Sequence, residues 1–222
     1  MTEQRAFTLI ELLIVVAIIA ILALIAVPNF LEAQTRAKCS RVKTDLRTIA
    51  VAEEAYRVDW NSYTHMNTGS DCPWRDGRWA GLGELTTPVA YLTTVPRDPF
   101  GLSRYSGTPG DTHPSVYEVG SGAVGVGSAR RPWENGLGMP SNIYMVESDG
   151  PNHFDDTIGE PFSTSNFPWD TIIAPNNPAT VSQALDLIYD PTNGTVSCGE
   201  IYKMGGQKPG GQVYEVLWQG GS

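Results

Sequence analysis

The chain has little of what enzymes use at their active sites. Its three histidines and three cysteines show no spacing that is typical of a metal site, and no G-x-S-x-G nucleophile motif is present. "GSGAVG" (Gly120–Gly125) fits the G-x-G-x-x-G pattern, but Gly127 and Pro132 follow where a dinucleotide site needs a helix. We therefore expect that the protein is not an enzyme and has no organic cofactor.

Positive charge is scarce after residue 59. Residues 60–222 carry eight basic and seventeen acidic side chains, whereas residues 1–59 carry seven of each, so the whole net charge of −9 belongs to the C-terminal part. Contacts to phosphate groups need a basic surface. We therefore expect no nucleic-acid partner.

The first part of the chain has a long run that is almost free of polar residues. From Phe7 to Val27 every residue is apolar except Thr8 and Glu11. A helix of this length would be about 31 Å long, which matches a hydrocarbon core of about 30 Å. A cleavable secretory signal would have a shorter apolar core and a cut site after it, and neither is present. The run predicts a transmembrane helix over residues 7–28.

More helix is predicted after this run. Over residues 29–60 apolar side chains recur at spacings of three and four among charged ones, the pattern of an amphipathic helix; they are Val42, Leu46, Ile49, Ala52, Tyr56 and Trp60. Since Pro28 is the only interruption, we expect one helix from about residue 7 to about residue 60.

The N-terminal motif resembles that of type IV pilins and of the pseudopilins of type II secretion. A polar leader of residues 1–6 precedes "FTLIELLIVVAIIAILALIAVPNF", in which Phe-Thr-Leu-Ile-Glu, a long aliphatic run and Pro-x-Phe follow in order. The resemblance implies that a prepilin peptidase cuts between Ala6 and Phe7 and methylates the new amine of Phe7. It also implies a homo-oligomeric helical filament, an inner-membrane assembly platform and minor pseudopilins as partners. The subunit would first cross the inner membrane once, with a cytoplasmic N-terminus and a periplasmic head, and then be extracted into a periplasmic or cell-surface filament.

Glu11 is a charge inside the apolar run. An acidic side chain in hydrocarbon costs roughly 2.5–3.5 kcal/mol, so Glu11 needs a partner. The resemblance implies the amine of Phe7 in a neighbouring subunit, which would set axial register during assembly. A local alternative is the amine of its own Phe7, one helical turn away, together with the helix dipole. The resemblance also gives Pro28 a part in assembly.

Residues 61–222, called the head below, are rich in turn residues and short apolar runs. "SVYEVGS" (115–121), "NIYMVES" (142–148) and "QVYEVLW" (212–218) predict strands, and "VSQALDLIY" (181–189) predicts a short helix. The predicted fold class is therefore α+β, with an antiparallel β-rich head packed on the second half of the long helix.

Two further stretches refine the resemblance. "YLTTVPRDPFG" (Tyr91–Gly101) and "YDPTNGTVSCGEIYKMG" (Tyr189–Gly205) are similar to segments of G-type major pseudopilins. They favour a pseudopilus subunit for type II secretion. A type IV pilus or competence pilin is an alternative from the same class. A membrane-anchored, calcium-dependent binding domain that does not polymerise is an alternative from another class.

An acidic stretch of the head predicts a calcium site. Calcium binds six to eight oxygens, from carboxylates and carbonyls of flexible loops, and major pseudopilins commonly hold a calcium in a late loop. The resemblance points to "ESDGPNHFDD", with Asp149, Asp155 and Asp156 as ligands. A second, weaker candidate contains Asp190, Asn193 and Glu200. The alternative is a solvated acidic turn.

The three cysteines are an odd set. Cys39 lies on the predicted long helix, whereas Cys72 and Cys198 both lie in the head. If the head is exported to an oxidising space, Cys72 and Cys198 can form a disulfide. Free buried thiols are the alternative.

Overall fold

The computed structural model describes residues 8–64, 80–101, 117–121, 142–148, 150–153, 185, 188–191, 199–208, 210 and 212–220. The chain divides into two compact units, one ending at Ala37 and the other beginning at Lys38.

Helix α1 runs from Leu9 to Trp60, 52 residues, and passes through Pro28. This confirms the prediction of one long helix. Every residue from Leu9 to Leu31 is exposed. Among the described residues, α1 is the one helix that is long and apolar enough to cross a membrane.

The second half of α1 buries one face against the head. The buried apolar residues repeat at helical spacing, as the sequence predicts; they are Cys39, Val42, Leu46, Ile49, Ala50, Ala52 and Tyr56. Trp60 differs from the prediction, since 52% of its surface is exposed. It lies in the last position of the helix and stacks on Tyr56, with 5.8 Å between ring centroids.

A small antiparallel sheet forms the centre of the described head. Its strands are β1 (Glu118–Ser121), β2 (Ile143–Ser148) and β3 (Ile201–Gly206), in the order β1-β2-β3. Both strand pairs are antiparallel. The predicted strands at 115–121 and 142–148 are thereby confirmed, and so is the α+β fold class.

Strand β2 is buried on both faces because its alternating side chains enter two hydrophobic clusters. Tyr144 and Val146 pack with the buried face of α1. Ile143 and Met145 pack on the other side with β3 and with the C-terminal helix α3, Gln212–Gly220. A short helix, α2 (Ala80–Glu84), and the loop after it complete the first cluster.

The predicted strand at 212–218 is wrong, because these residues form α3. Valine, tyrosine and tryptophan favour strands, but Tyr214 and Leu217 are three residues apart and are both buried against the sheet. That spacing is helical. Most of the predicted helix at 181–189 lies outside the described residues.

Candidate functional site

Thr8 and Glu11 form the start of α1. The backbone N–H of Thr8 donates to Glu11 Oε2 at 2.8 Å, and the Thr8 hydroxyl donates to the same oxygen at 2.7 Å. The Glu11 N–H points back to Thr8 Oγ1 at 3.4 Å. This is a capping box, in which threonine precedes the first helical residue and glutamate is the third residue within the helix.

The capping box gives Glu11 a local partner, so its negative charge is stabilised by hydrogen bonds within its own chain. A carboxylate in the first turn is also favoured by the positive end of the helix dipole. Both hydrogen bonds from Thr8 end on Oε2, and among the described residues Oε1 accepts none. Oε1 is therefore the atom that is suited to a further cationic partner.

Thr8 is a residue whose role the sequence reasoning missed. The signal was present, since Thr-x-x-Glu in front of an apolar run is the sequence form of a capping box. The predicted cleavage and methylation residues, Ala6 and Phe7, lie outside the described residues. Pro28 lies inside α1 and is exposed.

A second glutamate, Glu53, is completely buried near the end of α1. Its carboxylate is held by Thr64, whose N–H donates to Oε2 at 3.2 Å and whose hydroxyl lies 2.5 Å from Oε1. Thr64 is itself tied to β1, because its carbonyl accepts a hydrogen bond from the Ser121 hydroxyl. Glu53 therefore connects the helix to the loop and the sheet.

Burial raises the pKa of Glu53 from 4.5 to about 7. The two hydrogen bonds from Thr64 oppose this rise in pKa, whereas the negative charges of Glu84 and Glu54 add to it. Glu53 was not singled out from the sequence, since a glutamate beside a second one on a charged helix is usually solvated.

The calcium prediction falls mostly on residues that are not described. Asp149, Asp155 and Asp156 lie outside the described residues, and so does Asn193. The remaining two candidates are placed differently: Asp190 is exposed, whereas Glu200 is buried with its backbone carbonyl accepting from Tyr189 N–H at 3.1 Å. No group of three ligating side chains that could hold a metal occurs among the described residues. Calcium binding stays a prediction.

The predicted disulfide residues, Cys72 and Cys198, also lie outside the described residues. Cys39 is a free, buried thiol on the inner face of α1. Burial raises the pKa of this thiol, which makes it a weak nucleophile.

Comparison with known proteins gives two kinds of match. Residues 1–27 match the model of the prokaryotic N-terminal methylation motif. The type IV major pilin protein PilA of Myxococcus xanthus is 32% identical over 164 residues, which are 68% of this chain and 70% of that protein. The chain belongs to the type IV pilin superfamily.

Other pilin-type relatives come from two kinds of machinery. The type II secretion system core protein G of Pseudomonas aeruginosa is 30% identical over 120 residues, 54% of this chain and 84% of that protein. The type IV wide pilus major component PilA4 of Thermus thermophilus is 50% identical over 64 residues, 29% of this chain and 49% of that protein. No solved structure gives a significant match.

These findings support a pilus-like structural subunit, because the relatives are filament subunits and not enzymes. The apolar first half of α1 and the methylation motif fit an inner-membrane-anchored pilin with a leader that a peptidase removes. The matches to both pilins and secretion proteins leave the machinery open.

Proposed function

We propose that this pilin polymerises into a pseudopilus filament that serves type II protein secretion. The observation that carries the proposal is the exposed apolar segment of α1, which begins with a negative charge. Every side chain from Leu9 to Leu31 is exposed, so the segment needs lipid before assembly and other subunits afterwards. In a membrane anchor alone Glu11 would only cap the helix, which an uncharged glutamine could also do, whereas its charge adds cost.

Cleavage before Phe7 creates the positive charge that can pair with Glu11. In the uncut chain the Phe7 nitrogen is a neutral amide; after cleavage it is a cationic amine. In the capping box Glu11 Oε2 accepts hydrogen bonds from Thr8 N and Oγ1 at 2.8 and 2.7 Å. The carboxylate is therefore fixed in position when it meets the amine of a neighbouring subunit. A charged hydrogen bond in an apolar surrounding is stronger than one in water.

Support for secretion over pilus formation comes from the share of the secretion proteins that this chain covers and from one segment of the head. The chain covers 75–87% of the length of type II secretion system core protein G from several bacteria. The segment Tyr91–Gly101, which resembles G-type pseudopilins, contributes Leu92 and Phe100 to the same buried cluster as the inner face of α1.

A type IV pilus is the second candidate, and one observation favours it. The alignment with the Myxococcus xanthus PilA covers 68% of this chain, more than the 54% covered by the Pseudomonas aeruginosa secretion protein. The two candidates predict different defects in a deletion strain: loss of protein secretion for a pseudopilus, and loss of surface pili for a pilus.

Glu11→Ala tests polymerisation. We expect the variant to insert into the membrane and to be cleaved normally, but to yield no filaments, because the neighbour's amine loses its partner. Glu32→Ala is the matched control, since Glu32 is a carboxylate on the same helix that pairs with Arg36 at 2.5 Å. Filaments sheared from spheroplasts, which release both periplasmic and surface filaments, are compared with membranes by immunoblot. A normal filament yield from Glu11→Ala would show that the local partner, Thr8, is the only one that Glu11 needs.

A further inference from the structure

The outward face of the second half of α1 has five uncharged residues that follow one another along the helix at spacings of four and three. Nine of the residues 38–60 are charged, and on a solvated helix such residues normally occupy the outward face. Here the exposed positions at spacings of four and three are uncharged; they are Thr44, Thr48, Val51, Ala55 and Val58. We call these five residues the outer stripe.

The outer stripe is apolar and highly exposed at its centre and end. Val51 is 72% exposed and Val58 is 83% exposed. They are one heptad apart, so both point to the same side of the helix, away from the buried face that contains Val42 and Ile49. Covering two such side chains is favourable by about 25 cal/mol for each Å² of apolar surface removed from water.

The two threonines of the outer stripe need no hydrogen-bond partner from outside. The Thr44 hydroxyl donates to the Ser40 carbonyl at 3.0 Å, and the Thr48 hydroxyl donates to the Thr44 carbonyl at 3.0 Å. A hydroxyl that is bonded to its own helix can be removed from water without losing its bond. The stripe is therefore suited to a dry contact with another helix.

We propose that the outer stripe is covered by a second copy of this chain, in a contact between neighbouring subunits outside the membrane. This inference rests on the proposed filament. In a filament the apolar first half of α1 already packs on other copies, and the stripe lies further along the same helix, so the same neighbours are within reach.

Charge along the helix favours a parallel, staggered copy. The charged residues near the stripe are mainly basic at its start and mainly acidic toward its end; they are Arg41, Lys43 and Arg47 with Asp45, and then Glu54 and Asp59 with Arg57. Copies held parallel by their membrane segments and level with one another would oppose like charges. An axial displacement brings the acidic end of one copy beside the basic start of the next. A displacement of about 10 Å pairs Arg47 with Glu54, and one of about 24 Å pairs Lys43 with Asp59.

The contact is tested with aspartate variants of the full chain in the producing strain. Val51→Asp with Val58→Asp places two charges in the stripe, and we expect a fall in sheared filaments of about tenfold or more. The amount of cleaved chain in the membrane and its thermal unfolding should not change, because both valines are exposed. Val89→Asp is the matched control, since Val89 is 47% exposed but lies outside α1; its filament yield should equal that of the parent.

Cross-linking identifies the occupant. Val51→Cys in assembled filaments, treated with a bis-maleimide that spans the axial displacement, should give a product at twice the chain mass, because one engineered thiol per chain can join only two chains. The parent, with its own three cysteines, and Val89→Cys give the background. A cross-link only to a different protein, or none above background, would overturn the proposal.

The same strains separate this inference from the proposed function. If the parent forms filaments and the double aspartate variant forms as many, the outer stripe is not an interface although the chain still polymerises. If the parent forms no filaments at all, both the filament and the contact are refuted.

Discussion

Replacing Glu53 with glutamine should stabilise the head at neutral pH and have little effect in acid. Glu53 is completely buried, and its carboxylate has two partners, both from Thr64. A protonated carboxyl group or a carboxamide fits the same contacts. It accepts from the Thr64 N–H with its carbonyl oxygen and donates to the Thr64 hydroxyl with its other atom. Glutamine therefore represents the neutral form of Glu53.

The magnitude follows from the pKa of Glu53, which burial raises from 4.5 to about 7. Each unit between the folded and unfolded pKa is worth about 1.4 kcal/mol, so ionisation of Glu53 destabilises the folded chain by about 3 kcal/mol. Because the folded pKa is the higher one, the contribution of Glu53 is most favourable below pH 4.5. It is lost as the pH rises from 4.5 to 7 and is constant above that.

Urea unfolding of the full chain in detergent, followed by tryptophan fluorescence, measures this effect. All six tryptophans lie at residue 60 or later, so the signal reports the head and the end of α1. Glu53→Gln should unfold with a free energy about 3 kcal/mol above that of the parent at pH 8 and nearly equal to it at pH 4.5.

Glu54→Gln is the matched control for Glu53→Gln. Glu54 is the adjacent, exposed carboxylate, which accepts hydrogen bonds from Tyr63 and from the Gly206 N–H, and glutamine can still accept them. The charge of Glu54 contributes least to the raised pKa of Glu53, so Glu54→Gln should change the stability at pH 8 by less than Glu53→Gln does. The reasoning is refuted if the difference between Glu53→Gln and the parent is the same at both pH values.

Three further predictions concern other parts of the chain. Thr8→Val removes the two hydroxyl contacts of the capping box, and amide exchange in the first turn of α1 should be about fivefold faster, as a loss of about 1 kcal/mol implies. Gly205→Ala places a methyl group 2.2 Å from the buried Tyr144 ring, so the unfolding free energy should fall by about 3 kcal/mol. If the acidic loop binds calcium, the melting temperature of the chain should rise with calcium and fall with a chelator. The increase should be absent in Asp149→Ala with Asp155→Ala.

Each of these predictions has an outcome that contradicts it. Unchanged exchange in Thr8→Val would mean that the cap does not hold the helix start. Gly210→Ala is the control for Gly205→Ala, since nothing lies within 4 Å of the added methyl group, and equal stabilities of the two variants would refute the predicted clash. Identical melting of the parent in calcium and in chelator would leave the acidic loop as a solvated turn.

The long helix could be predicted from the sequence because two strong signals agree. The apolar run fixes the first half, and the three-and-four spacing of residues such as Leu46 and Ile49 fixes the second, although Pro28 lies between them. The strands at 115–121 and 142–148 were also predictable, since each is a short apolar run between turn residues.

Other features depend on contacts that the sequence does not show. Residues 212–218 have strand-forming composition but fold as α3, whose buried residues Tyr214 and Leu217 lie three apart and pack together on the sheet. Strand β3 was missed because "IYKMGG" ends in two glycines, which are unfavourable in strands; the close approach of Tyr144 to Gly205 explains one of them.

The candidate site was predicted in part. Glu11 is visible as a lone charge in an apolar run, and its role in assembly stays a prediction. Its partner Thr8 was visible too, but only as a capping pattern. The burial of Glu53 was not predictable. Glu53 lies three residues after Ala50 and four after Ile49, which places it on the buried face of the helix, but its charge favours solvent.

Mass spectrometry of the chain from purified, sheared filaments tests the central claim most directly. We expect the chain to be the main protein of the filament fraction and to begin at Phe7 with a methylated amine. A chain that is absent from filaments, or that keeps residues 1–6 within them, would contradict the account.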